Sequence, residues 1–90
     1  MDVIKKPSKK ELVNLFKIIS LLKTASGGLW VREIARQTKM HMETARRIII
    51  KYPKIFEEYA DFTNYNINLK IIRLKNQNIT PKNISQFVGN

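Results

Sequence analysis

The chain has 90 residues, 43% of them hydrophobic, and a formal net charge of +10. That scale allows one small domain with a modest core and excludes a second domain or a large substrate cleft. It contains no cysteine and a single histidine, His41. Disulfides, thiolate nucleophiles and Cys- or His-cluster metal sites are therefore excluded, and we expect no enzyme, no metal and no cofactor. No stretch reaches the roughly 18–20 apolar residues of a membrane span. Leu12 to Leu22 is broken by Asn14, Lys17 and Ser20, so it does not read as a signal peptide. The expectation is a cytoplasmic protein with no membrane partner, and phosphate polyanions are the leading partner class for so basic a chain.

The charge is unevenly spread. Residues 32–54 carry seven basic side chains against Glu33 and Glu43, a local +5, whereas residues 55–62 reverse sign through Glu57, Glu58 and Asp61. Residues 1–7 read as a basic arm. Lys5, Lys6, Lys9 and Lys10 supply either sequence-blind attraction to a polyanion or a solubilising lead-in.

Ser8-Lys9-Lys10-Glu11 matches the capping box, in which Ser and Glu satisfy each other's free backbone N–H groups. A helix is predicted from Lys9 to Ala25, with Leu12, Leu15, Phe16, Ile19 and Leu22 at helical spacing and Ile18, Leu21 and Ala25 widening the stripe. Gly27-Gly28 is expected to end it by taking a positive φ. Leu29-Trp30-Val31 reads as a brief strand with Trp30 as core packing or strand anchor. A two-turn helix follows over Arg32–Lys39, with Ile34 and Ala35 inward and Arg36 and Gln37 outward. After a tight break at Lys39-Met40-His41, a helix is predicted over Met42–Tyr52, with Ala45, Ile48, Ile49 and Tyr52 facing inward. Pro53 stops it, because the residue before proline is pushed out of helical geometry.

Ile55–Phe62 and Ile67–Leu74 are rich in β-branched and aromatic residues and flank Thr63-Asn64-Tyr65-Asn66, the pattern of a hairpin. A four-residue loop sets Phe62 opposite Ile67, Ala60 opposite Leu69 and Asp61 opposite Asn68, with Tyr59 and Glu57 flanking Lys70. Apolar parity changes between Ile71 and Ile72, which predicts a bulge or the strand leaving the sheet. Thr80-Pro81 resembles an N-cap and first helical residue, opening a short helix over 80–88 with Ile84, Phe87 and Val88 on one face.

The segment from Ile34 to Ile48 resembles a helix-turn-helix: small Ala35 where two helices cross, Met40 as the apolar plug of the turn, and Ala45 and Ile48 seating the second helix. Lys39 stands where a turn glycine is usual and His41 where a Ser or Thr cap is usual. A lysine at positive φ costs about 1 kcal/mol, which a domain tolerates. The order helix, short strand, helix, turn, helix, hairpin is similar to the winged-helix family of DNA-binding domains. Small size, a Lys/Ile/Asn bias and absent cysteine are similar to the winged-helix regulators of archaea and their viruses.

The resemblance implies an α+β fold: a three-helix core, a β-hairpin wing and a short C-terminal helix within a single domain over 8–90. The helix-turn-helix would span 32–52 and the wing hairpin 55–74. It implies double-stranded DNA as partner, with the second helix in the major groove and His41, Met42, Glu43, Arg46 and Arg47 toward base edges. Arg32, Arg36, Gln37, Thr44 and Lys51 suit phosphates. Thr63, Asn64, Tyr65, Asn66 and Lys70 form the wing, against backbone or minor groove. Blander readings stand beside these. Glu43 and Arg47 are spaced for an intrahelical ion pair, Arg46 and Arg47 for a solvated face, and Tyr65 for ordinary turn chemistry. Function is read as sequence-specific transcriptional regulation, with sequence-neutral architectural binding and a protein-interaction module as alternatives. Homodimerisation through the first and C-terminal helices is a further expectation.

Overall fold

The computed structural model describes residues 8–61, 64 and 70–88 of the chain. Helix α1 spans Lys9–Thr24 and is capped by Ser8, whose Oγ accepts the Glu11 backbone N–H at 3.1 Å. Only this half of the expected capping box forms. The Glu11 carboxylate turns away from its own helix end to the Tyr52 hydroxyl and the Lys51 ammonium. Leu15, Ile18, Ile19 and Leu22 form the buried stripe of α1. The helix closes without a glycine, since Ala25 N–H and Thr24 Oγ1 both donate to the Leu21 carbonyl. The positive φ expected at the glycines appears later, at Gly28 (φ 88°), in the turn that delivers the chain to the sheet.

Strand β1 is only Leu29–Trp30, because Val31 already opens helix α2, Val31–Thr38. Helix α3, Met42–Lys51, follows a three-residue break, and Tyr52 sits just past its end with its ring buried. The two helices and the turn between them thus run from Val31 to Lys51, within a residue of the expected limits. Of the two expectations for Trp30 one holds: its backbone pairs with Ile71 as a strand anchor, but the residue is 43% exposed and is not core.

Strands β2, Phe56–Asp61, and β3, Lys70–Leu74, pair antiparallel, and β1 pairs on the other side of β3, giving the order β1-β3-β2. The register differs from the four-residue-loop expectation. Glu57 pairs with Arg73 and Asp61 with Lys70, so Ala60 meets Ile71 and not Leu69. β2 also carries a bulge: between Glu58↔Ile72 and Ala60↔Ile71, Tyr59 has no partner of its own. The irregularity expected at Ile71/Ile72 is therefore real in height but carried by the facing strand, and the pairs differ from the expected register by two residues on the turn side of it and by one beyond it. The expected pairs of Ala60 with Leu69 and Asp61 with Asn68 are thus replaced by Ala60 with Ile71 and Asp61 with Lys70, and that of Phe62 with Ile67 lies outside the described residues. Ion pairs hold the two strands in this register, Arg73 Nε to Glu57 at 2.6 Å and Lys70 Nζ to Glu58 at 3.6 Å.

The C-terminal helix, α4, is shorter than expected, Ser85–Val88. Thr80 does cap, but it caps a turn: Thr80 N–H donates to Asn83 Oδ1 at 2.8 Å and Asn83 N–H returns to the Thr80 carbonyl. Just before it, Ile79 is fully buried and pins this segment to the body. Ile84 is partly buried against the same cluster, so it serves the chain's own core and is not free for a dimer seam.

These elements make a small α+β fold, three principal helices against a three-stranded antiparallel sheet. Among the described residues one cluster of fifteen buried residues joins them, drawing on α1, α2, α3, β2, β3 and the segments around Ile55 and Ile79. None of the buried described residues is charged or polar apart from the Tyr52 hydroxyl, which is hydrogen-bonded.

Gly28 carries a specific constraint. A Cβ there would lie 2.6 Å from Ile71 Cγ2 and 2.9 Å from the Ile72 carbonyl, whereas one at Gly27 meets nothing within 4 Å. Gly28→Ala combines left-handed strain with overpacking against β3 and should cost about 2–4 kcal/mol in denaturant unfolding. Gly27→Ala should stay within about 0.5 kcal/mol of the parent.

Candidate nucleic-acid interface

The turn between α2 and α3 fixes how α3 is presented. Thr38 ends α2 with its hydroxyl donating to the Ile34 carbonyl at 2.6 Å. Lys39 then takes the left-handed conformation, φ 57° and ψ 42°. Its N–H donates to the Arg36 carbonyl at 3.3 Å and the Met40 N–H to the Ala35 carbonyl at 3.0 Å. This is the Schellman arrangement, normally built on glycine, and Met40 packs on the core as its apolar closure. The two backbone bonds and the partly buried Met40 side chain offset the cost of a lysine at positive φ. His41 is in extended geometry at the start of α3, exposed, and makes no side-chain cap. It holds the first turn through its carbonyl alone, which accepts Ala45 N–H at 3.0 Å.

Within α3 the two faces separate cleanly. Ala45, Ile48 and Ile49 are buried, while Met42, Glu43, Arg46, Arg47, Ile50 and Lys51 are exposed. Small residues make this possible: Ala35 on α2 and Ala45 on α3 both lie in the core cluster where these helices pack.

Carboxylates organise the cations on this surface. Arg46 Nη1 bonds Glu43 at 2.9 Å, so the helical ion pair is Glu43–Arg46 at a spacing of three and not the expected Glu43–Arg47. On α2, Glu33 accepts from Arg36 Nε at 3.0 Å, from the same guanidinium's Nη2, and from Gln37 Nε2 at 2.6 Å. The Arg36 and Gln37 hydrogen bonds hold the Glu33 carboxyl down at about 2. Two residues expected on phosphates are therefore already engaged by a carboxylate, although their exposed positions leave exchange for another anion open. Arg32 stands exposed at the beginning of α2.

A second grouping lies between the start of α1 and the flank of α3. Ser8, Lys10, Glu11, Asn14, Thr44, Arg47, Ile48 and Lys51 line a cleft of about 270 Å³. Lys51 Nζ lies 2.9 Å from Glu11 and 5.8 Å from the Tyr52 ring centroid. Burial pushes the Glu11 carboxyl up, but hydrogen bonds from Tyr52 and Lys51, with the charges of Lys51 and Arg47, outweigh it and hold it below its ordinary value. The same contact, together with burial, pushes the Tyr52 phenol up. Arg47 therefore looks toward α1, and Lys51 is bound into a strap between helices. Thr44 shares their cleft, half-buried.

Asn64 is exposed, and Lys70 is exposed at the base of β3 beside Glu58. Thr63, Tyr65 and Asn66 lie outside the described residues, as do Lys5 and Lys6. Lys9 and Lys10 form the first turn of α1 and are not part of an arm. Two features were not singled out in the sequence. Ile50 is 69% exposed, which helical periodicity does signal once Ile48 and Ile49 are set inward. The Glu11–Tyr52 bond, across 41 residues, has no local signal.

Among the described residues, no group of three or more His, Cys, Asp or Glu is placed to hold a metal, and no helix is long and apolar enough to cross a membrane. Compared with family models, curated proteins and solved structures, the chain gives no significant match.

The Glu11 strap yields a pH signature. A carboxyl lowered on folding stabilises the fold above its unfolded value of 4.5, and that contribution disappears as pH falls through the lowered folded value. Glu11→Gln should cost about 1 kcal/mol near neutral pH. Chemical denaturation should show the gap to the parent shrinking steadily below about pH 4. A gap that is unchanged in acid contradicts the assignment.

Proposed function

We propose that this chain is a winged-helix protein that binds double-stranded DNA with sequence preference and regulates transcription. In this reading α3 enters the major groove, α2 and the start of α1 lie along the phosphates, and the β2–β3 hairpin is the wing. The observation that carries it is the two-faced character of α3: Ala45, Ile48 and Ile49 seat it on the core, while Met42, Glu43, Arg46 and Ile50 face outward. An α-helix about 10–12 Å across fits a major groove about 12 Å wide. The surroundings are cationic, with Arg32, Lys39, Lys51 and Lys54 all exposed near it, and the net charge of +10 favours a polyanion.

Charge also divides the labour. Arg46 has a planar fork matched to guanine O6 and N7, and its present partner Glu43 is itself largely solvated, so the pair opens at little cost. Glu33 holds Arg36 and Gln37 in one orientation along α2, a geometry suited to backbone positioning.

A homodimer is a second reading for the quaternary state. Val13 is 46% exposed beside a shallow apolar groove shared by Phe16 and Leu21 of α1 with the end of α2. A two-fold pair would place two α3 helices against a palindromic site.

Arg46→Ala should cost about 1–3 kcal/mol against the preferred duplex and relax preference at one position. Arg32→Ala should weaken all duplexes alike and reduce the salt slope by about one. Equal losses and unchanged preference in both variants, measured by fluorescence anisotropy across salt, point to sequence-neutral binding instead.

A further inference from the structure

The outward face of α3 is not simply cationic. Met42 is 41% exposed and Ile50 69% exposed, and both stand four residues from Arg46. Residues four apart lie nearly above one another on a helix, so Met42, Arg46 and Ile50 form one outward row with the guanidinium between two apolar groups. Ile50 is the most exposed of the large hydrophobic residues on the molecule's described surface. Its side chain does nothing for the core, which Ile48 and Ile49 already serve from the adjoining positions. At 1.5 Å per residue the row is about 12 Å long, the axial length of three to four base pairs.

We infer that this row reads thymine, with Ile50 and Met42 packing on C5-methyl groups on either side of a guanine held by Arg46. The inference rests on the DNA-binding reading above and adds the base chemistry that the site selects. Thymine is the one base that offers an apolar group in the major groove, so an apolar side chain there discriminates through methyl burial alone. The occupant is assigned by charge. The row sits within a segment of local +5, and Arg47 and Lys51 stand beside it on α3. A second copy would bring the same cations against themselves, whereas the groove brings phosphates on both sides. Glu43 is consistent with this: placed one residue from the row and bonded to Arg46, it orients the free guanidinium until guanine replaces it.

The test uses the full chain and a duplex selected from a random pool, prepared with thymine or with deoxyuridine at each position in turn. Deoxyuridine keeps every hydrogen bond and removes only the methyl. Loss of each methyl read by the row should weaken binding about fourfold, the equivalent of one buried methyl at 0.8 kcal/mol. Ile50→Ala should bind the thymine and deoxyuridine duplexes equally at one of those positions, with its thermal unfolding unchanged because the residue is exposed. Equal binding of the two duplexes by the parent chain overturns the inference while leaving the DNA-binding reading intact. A dimer in sedimentation that Ile50→Ala converts to monomer also overturns it, assigning the row to a second copy. Failure to bind any duplex, even at low salt, removes the reading on which it rests.

Discussion

The close packing of α2 on α3 is the constraint on which the rest depends. Ile34, Ala35 and Ala45 are all buried there, the first and last completely. Alanine at both 35 and 45 lets the helix backbones approach, and any larger side chain would lift α3 off the body and turn its faces. The Schellman turn at Lys39 and Met40 sets the angle at which α3 leaves α2, through backbone bonds that need no particular side chain. Once that angle is set, the spacing of Ile48 and Ile49 decides which side of α3 meets solvent. The outward row of Met42, Arg46 and Ile50 is thus a consequence of core packing two turns long.

Acidic side chains are few, and the structure spends them with economy. Glu33 organises Arg36 and Gln37 along α2, Glu43 holds Arg46, Glu57 and Glu58 lock the hairpin register, and Glu11 ties α1 to the end of α3. In a chain of net +10, each such pair also relieves repulsion between neighbouring cations. Most of these pairs are solvated and contribute little to stability individually. The Glu11–Tyr52 contact differs because the Tyr52 ring is buried, so its hydroxyl has to be satisfied inside the protein.

How much was legible in the sequence depends on the range of the interaction. The three main helices and their inward faces follow from periodicity and capping residues within a few positions, and Ser8, Ala45, Ile48 and Ile49 all behave as their spacing implies. Strand register differs from the four-residue-loop expectation by two residues on the turn side of Tyr59 and by one beyond its bulge, and no turn rule over Thr63–Asn66 encodes either offset. Glu11 looked like a local capping residue, yet a buried phenol 41 residues away competes better for its carboxylate. Trp30 pairs with Ile71 as a strand anchor but stands exposed in a two-residue strand at the sheet edge, and its residue type alone did not separate that place from the core. The Thr80-Pro81 cap closes a turn ahead of α4 and not a helix over 80–88, while Ile79 just before it is buried in the core. Among site residues, the exposure of Arg46 and Arg47 was readable from helical phase. That Arg47 faces α1 across a shared cleft was not, because the direction of a side chain across a helix boundary depends on the packing of α1.

The account stands or falls on whether α3's outward face discriminates among DNA sequences. The most direct measurement is selection of bound duplexes from a random pool at near-physiological salt, followed by sequencing of the enriched population. The account predicts a short consensus in which guanine is flanked by thymine within three to four base pairs, emerging within a few rounds. A pool that stays random while the protein still binds would contradict it, leaving a cationic surface that recognises charge without reading sequence.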